Sequence, residues 1–226
     1  MEIIYEDNHL IAVNKNCHEI VQGDRTGDSP LSAMVSAWLK EKYNKPGNVF
    51  AGVTHRLDRP VTGIVLFAKT SKALARMNEK FRLGEVKKLY WAIVRDAPPH
   101  PEDELEHWLI RNEKQNKSYV CDADRPDAKK AVMSYRLIAQ SERYYLLEVD
   151  LKTGRHHQIR CQLAHIGLPV KGDLKYGARR SNPDGGICLH ARQIAFVHPV
   201  SGLPIEIVAP APEDILWKTL SESVIP

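Results

Sequence analysis

The sequence predicts an α+β protein with a mixed, largely antiparallel sheet and flanking helices. Strand-like segments follow one another in runs instead of alternating strictly with helices, which favours α+β over α/β. Apolar residues at helical spacing are confined to a few short segments, each with a start or stop signal. The chain has 226 residues and is 43% hydrophobic, which is enough for a substantial core.

Four helices are predicted from the helical spacing of apolar residues and from their boundary signals. The first begins at Ser29-Pro30, with proline at the first helical position. The second is capped by Ser71 and stopped by Gly84, the third covers about residues 155–166, and a short helix lies near the C-terminus. The first helix has an apolar stripe that we expect to be core without a functional role: Leu31, Met34, Val35, Trp38 and Leu39.

Strands are predicted where apolar and β-branched residues alternate or run together between turn residues. Residues 95–108 are rich in proline and acid and are expected to form a surface loop or hairpin, and residues 173–186 a long basic loop. The length fits one large domain or two small ones, and the sequence shows no internal repeat. A single domain over residues 1–226 is expected. The predicted strands cover 3–14, 64–68, 88–94, 115–120, 131–138, 143–150, 188–197 and 203–209.

The net charge of +4 is unevenly distributed along the chain. Residues 151–200 carry eight Lys and Arg against two Asp, whereas residues 201–226 carry one Lys against four Asp and Glu. Phosphate binding requires clustered cations, so the basic block is a candidate nucleic-acid surface. A solvated basic face is the alternative interpretation of the same residues.

Several classes of protein are disfavoured by composition. The mean hydropathy of −0.37 and the lack of a long apolar run argue against a membrane span, and residues 1–7 lack the pattern of a signal peptide. No exposed apolar stripe stands out, so a monomer is expected. Four cysteines are far apart without a Cys-x-x-Cys pair, which predicts reduced thiols and a cytoplasmic location; they are Cys17, Cys121, Cys161 and Cys188.

The most informative segment is His55-Arg56-Leu57-Asp58-Arg59-Pro60-Val61-Thr62-Gly63, which leads into the apolar run 64–68. Because that run is typical of a buried strand, the segment lies at the mouth of a strand, where functional residues are often found. Asp58 lies between Arg56 and Arg59, and neighbouring positive charge favours an ionised carboxylate. Such a group suits a nucleophile or general base, and a surface salt bridge at a turn is the alternative.

This segment resembles the catalytic loop of the RluA family of pseudouridine synthases, and four further segments resemble the same family in the same order. One such segment alone is weak, but five in order between residues 14 and 199 are specific. The resemblance implies the catalytic fold of RNA pseudouridine synthases, no cofactor, and structured ribosomal or transfer RNA as partner. The further segments are Lys88-Leu89-Tyr90-Trp91-Ala92-Ile93-Val94, Leu151-Lys152-Thr153-Gly154-Arg155-His156-His157-Gln158-Ile159-Arg160, Gly167-Leu168-Pro169-Val170-Lys171-Gly172-Asp173 with Tyr176-Gly177, and Leu189-His190-Ala191 with Phe196-Val197-His198-Pro199.

The resemblance implies catalytic roles for three residues. Asp58 corresponds to the catalytic aspartate, which either attacks the sugar covalently or removes a ribose proton to give a glycal; both routes fit a carboxylate. Tyr90 corresponds to the residue that stacks on the target uracil, worth about 1–3 kcal/mol, and takes the proton from carbon 5. Arg160 corresponds to the ion partner of Asp58. The alternatives are a core tyrosine for Tyr90, and a strand cap or a phosphate contact for Arg160.

Five cationic residues are candidate RNA contacts. By resemblance, Arg56 fills the space left when the uridine is flipped out of the RNA, because a guanidinium stacks and hydrogen-bonds at once. A phosphate contact is the alternative for Arg56. His55 is expected to be a local hydrogen-bond partner of the loop, and His157 and Gln158 to support the helix and the loop. The remaining candidate contacts are Arg59, Lys15, Lys88 and Arg155.

Three positions depart from the family pattern, and none falls on a residue with an implied catalytic role. Asn16 replaces a proline, which is expected to loosen the turn predicted at Asn14-Lys15-Asn16, His156 replaces a small residue, and Gln162 replaces a histidine. The chain is expected to begin directly with the catalytic domain, without the small RNA-binding domain of many relatives. Target selection is therefore expected from the catalytic domain and its loops, including residues 173–186.

Two other functions compete with an RNA isomerase. Ten histidines suggest a metal hydrolase, but the adjacent His156 and His157 point in different directions on a helix, and no His-x-x-x-His pair lies beside an acid. No metal is therefore expected. A non-catalytic RNA-binding protein would explain the basic block equally well, but it would gain nothing from keeping Asp58 where phosphates approach.

Overall fold

A computed structural model describes residues 1–23 and 27–224, and these residues confirm the α+β class. The strands are β1 (Glu2–Glu6), β2 (Leu10–Lys15), β3 (Gly52–Val53), β4 (Thr62–Ala68), β5 (Lys87–Val94), β6 (Glu102–Asn112), β7 (Lys117–Cys121), β8 (Lys129–Gln140), β9 (Tyr145–Leu151), β10 (Leu189–Val197) and β11 (Pro204–Val208). The helices are α1 (Leu31–Lys42), α2 (Ser71–Leu83), α3 (Gln158–His165) and α4 (Ile215–Glu222).

The chain forms two compact units. The first unit consists of Met1–Val86 and Arg192–Pro210, and the second of Lys87–Ala191 and the chain from Ala211 onward. The boundary falls within β10, so this strand contributes residues to both units. The expectation of one catalytic domain over the whole chain stays a prediction.

The first unit is a sheet with a helix on each face. Its strand order is β1-β2-β4-β10, with β3 also paired to β4 and β11 to β10. Side chains alternate between the two faces of a strand, so Leu10 and Leu66 join the buried cluster under α2, whereas Ile11 and Val65 join the cluster under α1. Both faces of β2 and β4 are covered, which explains why these strands are apolar at almost every position.

The second unit contains the long antiparallel strands. Its order is β5-β9-β8-β6-β7, with the first residues of β10 beside β5, and the pairings β5–β9, β9–β8, β8–β6 and β6–β7 are all antiparallel. Helix α3 packs on this sheet through a small buried cluster that includes Leu109, Ala131, Cys161 and Tyr176. The packing places the start of α3 beside β7.

The predicted single strand over residues 3–14 is wrong, because the structure has a β1–β2 hairpin there. Asp7 makes the turn: its Oδ1 accepts the N–H groups of His9 and Leu10, each at 2.7 Å. An aspartate that hydrogen-bonds the main chain two or three residues ahead is a turn signal that the strand-like alternation concealed. The second strand also runs through Lys15, where the sequence predicts a turn.

Helix boundaries differ by one residue from the prediction at two places. Thr70, and not Ser71, caps α2, since its hydroxyl accepts the N–H of Ala73 at 3.1 Å. Pro30 is the N-cap of α1 with an extended main chain, so the helix begins one residue later. The predicted stop of α2 at Gly84 is confirmed, with φ at +74° in the left-handed region that glycine tolerates.

Residues 95–108 are predicted to form a surface loop or hairpin, and the loop alternative is wrong from residue 102 onward, where β6 begins. The acidic residues that suggested a loop alternate with Leu105 and Leu109, which are buried, while Glu104 and Glu106 are exposed. The segment is therefore a half-buried strand with a charged outer face. Its partner β8 covers it from Glu102 to Leu109.

The described residues bear on two expectations, one about membrane-spanning helices and one about the cysteines. No helix among them has the length and apolar character that crossing a membrane requires. The four cysteines are free thiols, as predicted.

Candidate active site

The segment that contains Asp58 connects β3 to β4 in the first unit. Before the aspartate, Thr54 donates its hydroxyl to the carbonyl of Leu66 at 2.7 Å, and His55 accepts the N–H of Leu66 at Nε2, at 3.1 Å. The imidazole of His55 also lies 5.1 Å from the ring of Phe81 in α2. His55 is thus a local hydrogen-bond partner of the loop, as the sequence predicts.

After the aspartate, the chain closes a turn in which the carbonyl of Asp58 accepts the N–H of Val61 at 3.0 Å. The ammonium of Lys15 holds this turn to the end of β2. It donates to the carbonyls of Asn16 (2.8 Å), Arg59 (2.8 Å) and Val61 (2.6 Å), and Lys15 is 0% exposed. The predicted RNA contact of Lys15 is therefore corrected, because its three donors are used inside the protein.

The two arginines that flank Asp58 lie on the surface, while Asp58 itself is half-buried. Arg59 donates from Nη2 to Asp28 at 2.7 Å, in an ion pair whose two side chains are both exposed. Arg56 has no ion pair among the described residues. Both guanidinium groups are accessible to RNA. To bind a phosphate, Arg59 would give up its ion pair with Asp28, and losing an exposed ion pair costs little free energy.

In the second unit, β5 carries Lys88 and Tyr90 on the same face, since they are two residues apart. Tyr90 is 8% exposed and lies opposite Val149 of β9. Burial lowers the pKa of Lys88, and attraction to Asp150 opposes that shift. A Cβ atom at Gly154 would lie 3.9 Å from Nζ of Lys88. The ammonium therefore lies beside the turn that precedes α3.

That turn is organised by the amide of Gln158, which confirms its predicted supporting role. Its Oε1 accepts the hydroxyl of Thr153 at 2.7 Å and the N–H of Arg155 at 2.9 Å, and its Nε2 donates to Val132 at 3.1 Å. Helix α3 consequently begins at Gln158 and not at residue 155, with His157 in the left-handed region at φ +52°. Arg155 is exposed and donates from Nε to the main chain of β8.

Arg160 lies in the first turns of α3 and is held by a carboxylate of its own unit. It donates from Nε to Oδ2 of Asp173 at 2.6 Å and from Nη2 to Oδ1 at 2.9 Å. Arg160 is 5% and Asp173 1% exposed. A bidentate pair fixes the plane of the guanidinium. The predicted pairing of Arg160 with Asp58 joins residues of different units and stays a prediction.

Residues 9–165, which include the Asp58 turn and the start of α3, match the protein family described as RNA pseudouridylate synthase. The chain belongs to this family. It is an RNA pseudouridine synthase, an isomerase that converts uridine to pseudouridine, and the resemblance to the RluA family is confirmed.

Similar proteins carry the same kind of name. Ribosomal large subunit pseudouridine synthase D of Xanthomonas campestris pv. campestris is 32% identical over 239 residues, covering 95% of this chain and 67% of that protein. tRNA pseudouridine synthase C of Pectobacterium carotovorum subsp. carotovorum is 31% identical over 230 residues, covering 92% of this chain and 58% of that protein. Both relatives match the pseudouridine synthase over nearly its whole length.

A solved structure confirms the fold. Human RNA pseudouridylate synthase domain containing 4 matches with a TM-score of 0.79 at 22% identity, covering 94% of this chain and 89% of the other. At this identity the likeness concerns the arrangement of strands and helices. The mixed, largely antiparallel sheet of this pseudouridine synthase is therefore the fold of that structure.

The three departures from the family pattern each take part in hydrogen bonds. Asn16 donates its main-chain N–H to Glu19 at 2.7 Å, which a proline could not do. His156 contacts the hydroxyl of Ser118 at 2.9 Å through Nδ1. Gln162 is buried and donates from Nε2 to the carbonyl of Leu105 in β6 at 3.0 Å. The turn at Asn16 thus has a hydrogen bond that a proline would lack, and the expected loosening of this turn stays a prediction.

Asp173 and Tyr176 belong to the site but were not predicted from the sequence, although both lie in a segment that resembles the RluA family. The hydroxyl of Tyr176 accepts the N–H of Ser118 at 2.8 Å and lies 3.0 Å from Nδ1 of His157. The guanidinium of Arg160 lies 5.1 Å from the centre of the Tyr176 ring. Asp173 is one of only two carboxylates in the basic block 151–200, which is a signal that it pairs with an arginine there.

His157 is kept neutral by its surroundings, which supports the prediction that it has a structural role. Burial, followed by repulsion from Arg160, His156, Lys175 and Arg111, lowers the pKa of His157 to about 2. Its ring stacks on that of His156, with the ring centres 3.8 Å apart. A neutral imidazole accommodates the positive Arg160 without a second buried charge.

Histidines do not form a metal centre in the part of the chain that the structure describes. No group of three or more His, Cys, Asp or Glu side chains within residues 1–23 and 27–224 is arranged to hold a metal ion. The histidine contacts found above are to hydroxyls, main-chain groups and aromatic rings.

Proposed function

We propose that this pseudouridine synthase modifies specific uridines in structured ribosomal or transfer RNA, with Asp58 as the catalytic carboxylate. The observation that carries the proposal is the Asp58 turn, whose main chain is held on both sides of the aspartate within the matched family region. The names of the two relatives, which refer to the ribosomal large subunit and to tRNA, support the choice of RNA. A fixed carboxylate lowers the entropy cost of reaching a reactive geometry.

The reaction needs one carboxylate and no external reagent. The bond from N1 of uracil to C1′ of ribose breaks, the base turns, and a bond from C5 to C1′ forms. C5 loses a proton and N1 ends with one, so atoms and electrons balance within the nucleotide. Asp58 takes part either by attacking C1′ or by removing the proton on C2′ to give a glycal.

Tyr90 and Arg160 complete the proposed catalytic group. Tyr90 stacks on the uracil and accepts the proton from C5. Arg160 is the ion partner of Asp58. The bidentate contact with Asp173 supports this role, because it orients the guanidinium independently of the substrate. A carboxylate that lacked such a partner would be less ionised when RNA covers it.

Four cations of the sequence prediction remain as proposed RNA contacts: Arg56, Arg59, Lys88 and Arg155. Arg56 fills the space that the flipped uridine leaves, which its exposure permits. Lys88 binds a phosphate near the reacting nucleotide. Burial lowers the pKa of Lys88 and attraction to Asp150 opposes that shift, so a bound phosphate would further stabilise the charged ammonium.

A basic surface on the second unit supports an RNA substrate. Arg111, Lys117 and Lys175 have no carboxylate partner among the described residues. Lys175 donates instead to the carbonyls of Gln115 and Asn116, at 3.2 and 3.0 Å, and Lys117 lies 4.9 Å from the ring centre of Tyr176. Three positive groups without compensating acids repel one another and favour a polyanion.

We also propose that the protein acts as a monomer in the cytoplasm. The four free thiols are consistent with a reducing compartment. Light scattering of the purified protein should give the mass of one chain, and a mass of two chains would contradict this part of the proposal.

The proposal is tested by tritium release from RNA labelled at C5 of uridine, because that proton leaves in the reaction. Wild type and Asp58→Asn are compared on separate ribosomal and transfer RNA pools from cells that lack this protein. Asparagine has the size of aspartate but cannot act as a base, so release should fall by about 10²–10⁴-fold or more. Circular dichroism should show the same fold in both proteins.

Release by wild type from one pool identifies the substrate class. Near wild-type release by Asp58→Asn would contradict the role of Asp58 while leaving the enzyme class intact. No release from either pool, together with equal RNA binding by the two proteins, would favour a non-catalytic RNA-binding function.

A further inference from the structure

Lysines surround an exposed tyrosine at the C-terminal end of α1, in the first unit. The ammonium groups of Lys42, Lys45 and Lys69 lie 5.4, 5.5 and 5.0 Å from the centre of the Tyr43 ring. Lys42 also lies 4.5 Å from the ring centre of Trp38, its neighbour one turn back in the helix. Trp38, Lys42, Tyr43 and Lys45 together form the Tyr43 patch.

The positive charge around Tyr43 exceeds what its carboxylate partner can balance. Glu6 accepts hydrogen bonds from Lys42, Lys69 and the hydroxyl of Tyr43, each at 2.6 Å. Lys45 contacts the ring but forms no ion pair in the described parts of the chain. Three ammonium groups and one carboxylate leave two positive charges uncompensated. Two further exposed residues of α1 cancel in charge: Lys40 and Glu41.

Two cations near the end of α2, in the same unit, show the opposite arrangement. Lys80 pairs with Glu85 at 3.0 Å, and Arg82 pairs with Glu79. One acid for each cation is what a solvated charged face needs, and it leaves little net field at the surface. Uncompensated cations, in contrast, raise the local potential and attract a polyanion.

The buried and the exposed lysines of the cluster have different parts. The side chain of Lys69 is only 9% exposed, and its Nζ also donates to the carbonyl of Asp7 at 2.7 Å, so it anchors Glu6. The side chain of Lys42 is 44% exposed and Tyr43 is 46% exposed. The surface therefore offers mobile ammonium groups beside an aromatic ring that a ligand can reach.

We propose that the Tyr43 patch is a second RNA-binding surface, on which an unpaired base stacks on Tyr43 while Lys42 and Lys45 bind the adjacent phosphates. Aromatic rings flanked by cations bind single-stranded nucleic acid in this way, because the ring stacks on any base and the cations follow the backbone. The inference rests on the proposed function, since it concerns how the same RNA substrate is held.

The patch is remote from the Asp58 turn. Strand β4 begins just after that turn and ends just before Lys69, which contacts the ring of Tyr43. The seven residues of β4 span roughly 20 Å. An RNA of a few nucleotides bound at Asp58 does not extend to Tyr43, whereas a large folded RNA can contact both places. The patch thus contributes to RNA affinity and not to the chemical step.

The test measures the binding of a fluorescent single-stranded oligoadenylate of about 12 nucleotides, a length within the range of single-strand sites. Oligoadenylate offers bases and phosphates but no uridine, so it is not a substrate. The variants are Tyr43→Leu, Tyr43→Phe and the double variant Lys42→Gln with Lys45→Gln. The double variant Lys80→Gln with Arg82→Gln is the matched control, because it removes the same number of positive charges from the same unit.

We expect Tyr43→Leu to weaken binding by about tenfold or more, the effect of losing one stacked base. Tyr43→Phe should bind like wild type, because it keeps the ring and loses only the hydrogen bond to Glu6. The lysine double variant should lower the slope of log K against log salt by about 1.4, which corresponds to two phosphate contacts on a single strand. The matched control should change neither quantity.

Two results would overturn the proposal. Unchanged affinity in both Tyr43→Leu and the lysine double variant would make the patch an ordinary solvated surface. Equal losses in the two double variants would show that RNA responds to the charge of the unit as a whole and not to the patch.

Tritium release separates this proposal from the proposed function. With ribosomal or transfer RNA, Tyr43→Leu should raise the Kd but keep the single-turnover rate at saturating enzyme. If the patch variants lose oligoadenylate binding while wild type releases no tritium from any pool, the proposed function fails and the patch stands. If wild type releases tritium and the variants bind oligoadenylate normally, the patch fails and the proposed function stands.

Discussion

Two buried cations, one in each compact unit, are held by different kinds of acceptor. Lys15 donates to three main-chain carbonyls, whereas Arg160 donates twice to the carboxylate of Asp173. Carbonyls provide dipoles but no net charge, so burial still lowers the pKa of Lys15 to about 8. The guanidinium stays charged at all relevant pH values, and its carboxylate neutralises it. Raising the pH can therefore deprotonate Lys15 in the first unit, whereas Arg160 in the second unit stays charged.

The largest expected effect comes from breaking the charge pair of the second unit. Arg160→Met leaves the carboxylate of Asp173 buried without its partner, so the free energy of unfolding should fall by about 3–5 kcal/mol. Urea unfolding at neutral pH measures this.

The double variant Arg160→Met with Asp173→Leu is the control, because it removes both charges. It should be less destabilised than the sum of the two single variants, since both act on one pair. Additive losses would show that Arg160 and Asp173 do not depend on each other.

The difference between the two cations also predicts that their contributions to stability respond differently to alkaline pH. Lys15 has a pKa of about 8 when folded and the usual 10.5 when unfolded, so between these values the unfolded chain binds more protons. The free energy of unfolding of wild type relative to Lys15→Met should therefore rise by about 2 kcal/mol between pH 8 and 9.5.

Relative to Arg160→Met, the stability of wild type should stay constant over the same pH range. Urea unfolding at several pH values provides both curves, and equal slopes would contradict the comparison.

A smaller effect on the free energy of unfolding is expected from removing the hydroxyl of Tyr176, whose ring contacts the guanidinium of Arg160. Tyr176→Phe removes the acceptor of the Ser118 N–H and the neighbour of His157 Nδ1, which should cost about 1–3 kcal/mol of unfolding free energy. Tyr119→Phe is the matched control, because that hydroxyl is on an exposed side chain and donates to Gln115. Equal losses would mean that burial of the Tyr176 contact has no consequence.

The smallest effect is expected at an exposed ion pair. Arg136 donates to Glu148 at 3.2 Å across β8 and β9, and Arg136→Gln should change the free energy of unfolding by about 0.5 kcal/mol or less. The change should disappear in high salt, where exposed charges are screened. A loss comparable to that of Arg160→Met would contradict the distinction between buried and exposed pairs.

Local patterns were sufficient for much of the fold. In the predicted stripe of α1, Leu31, Val35 and Leu39 are buried in the core, while Met34 and Trp38 are half-buried against it. Gly84 ends α2 as predicted. Periodicity failed where a turn or a charge interrupted it. Asp7 divided the first strand into two, and the acidic outer face of β6 concealed a half-buried strand.

The sequence by itself determined the family and located the loop around Asp58, because a motif is a local string of residue types. Only the tertiary structure decided which groups hold that loop and which hold Arg160. Lys15 looked like an RNA contact from its local sequence, yet two of its three acceptors lie 44 and 46 residues away along the chain. Asp173 likewise acquires its role only when α3 brings Arg160 to it. The partner of a buried charge depends on which segments exclude water around it, and that is settled by packing between distant parts of the chain.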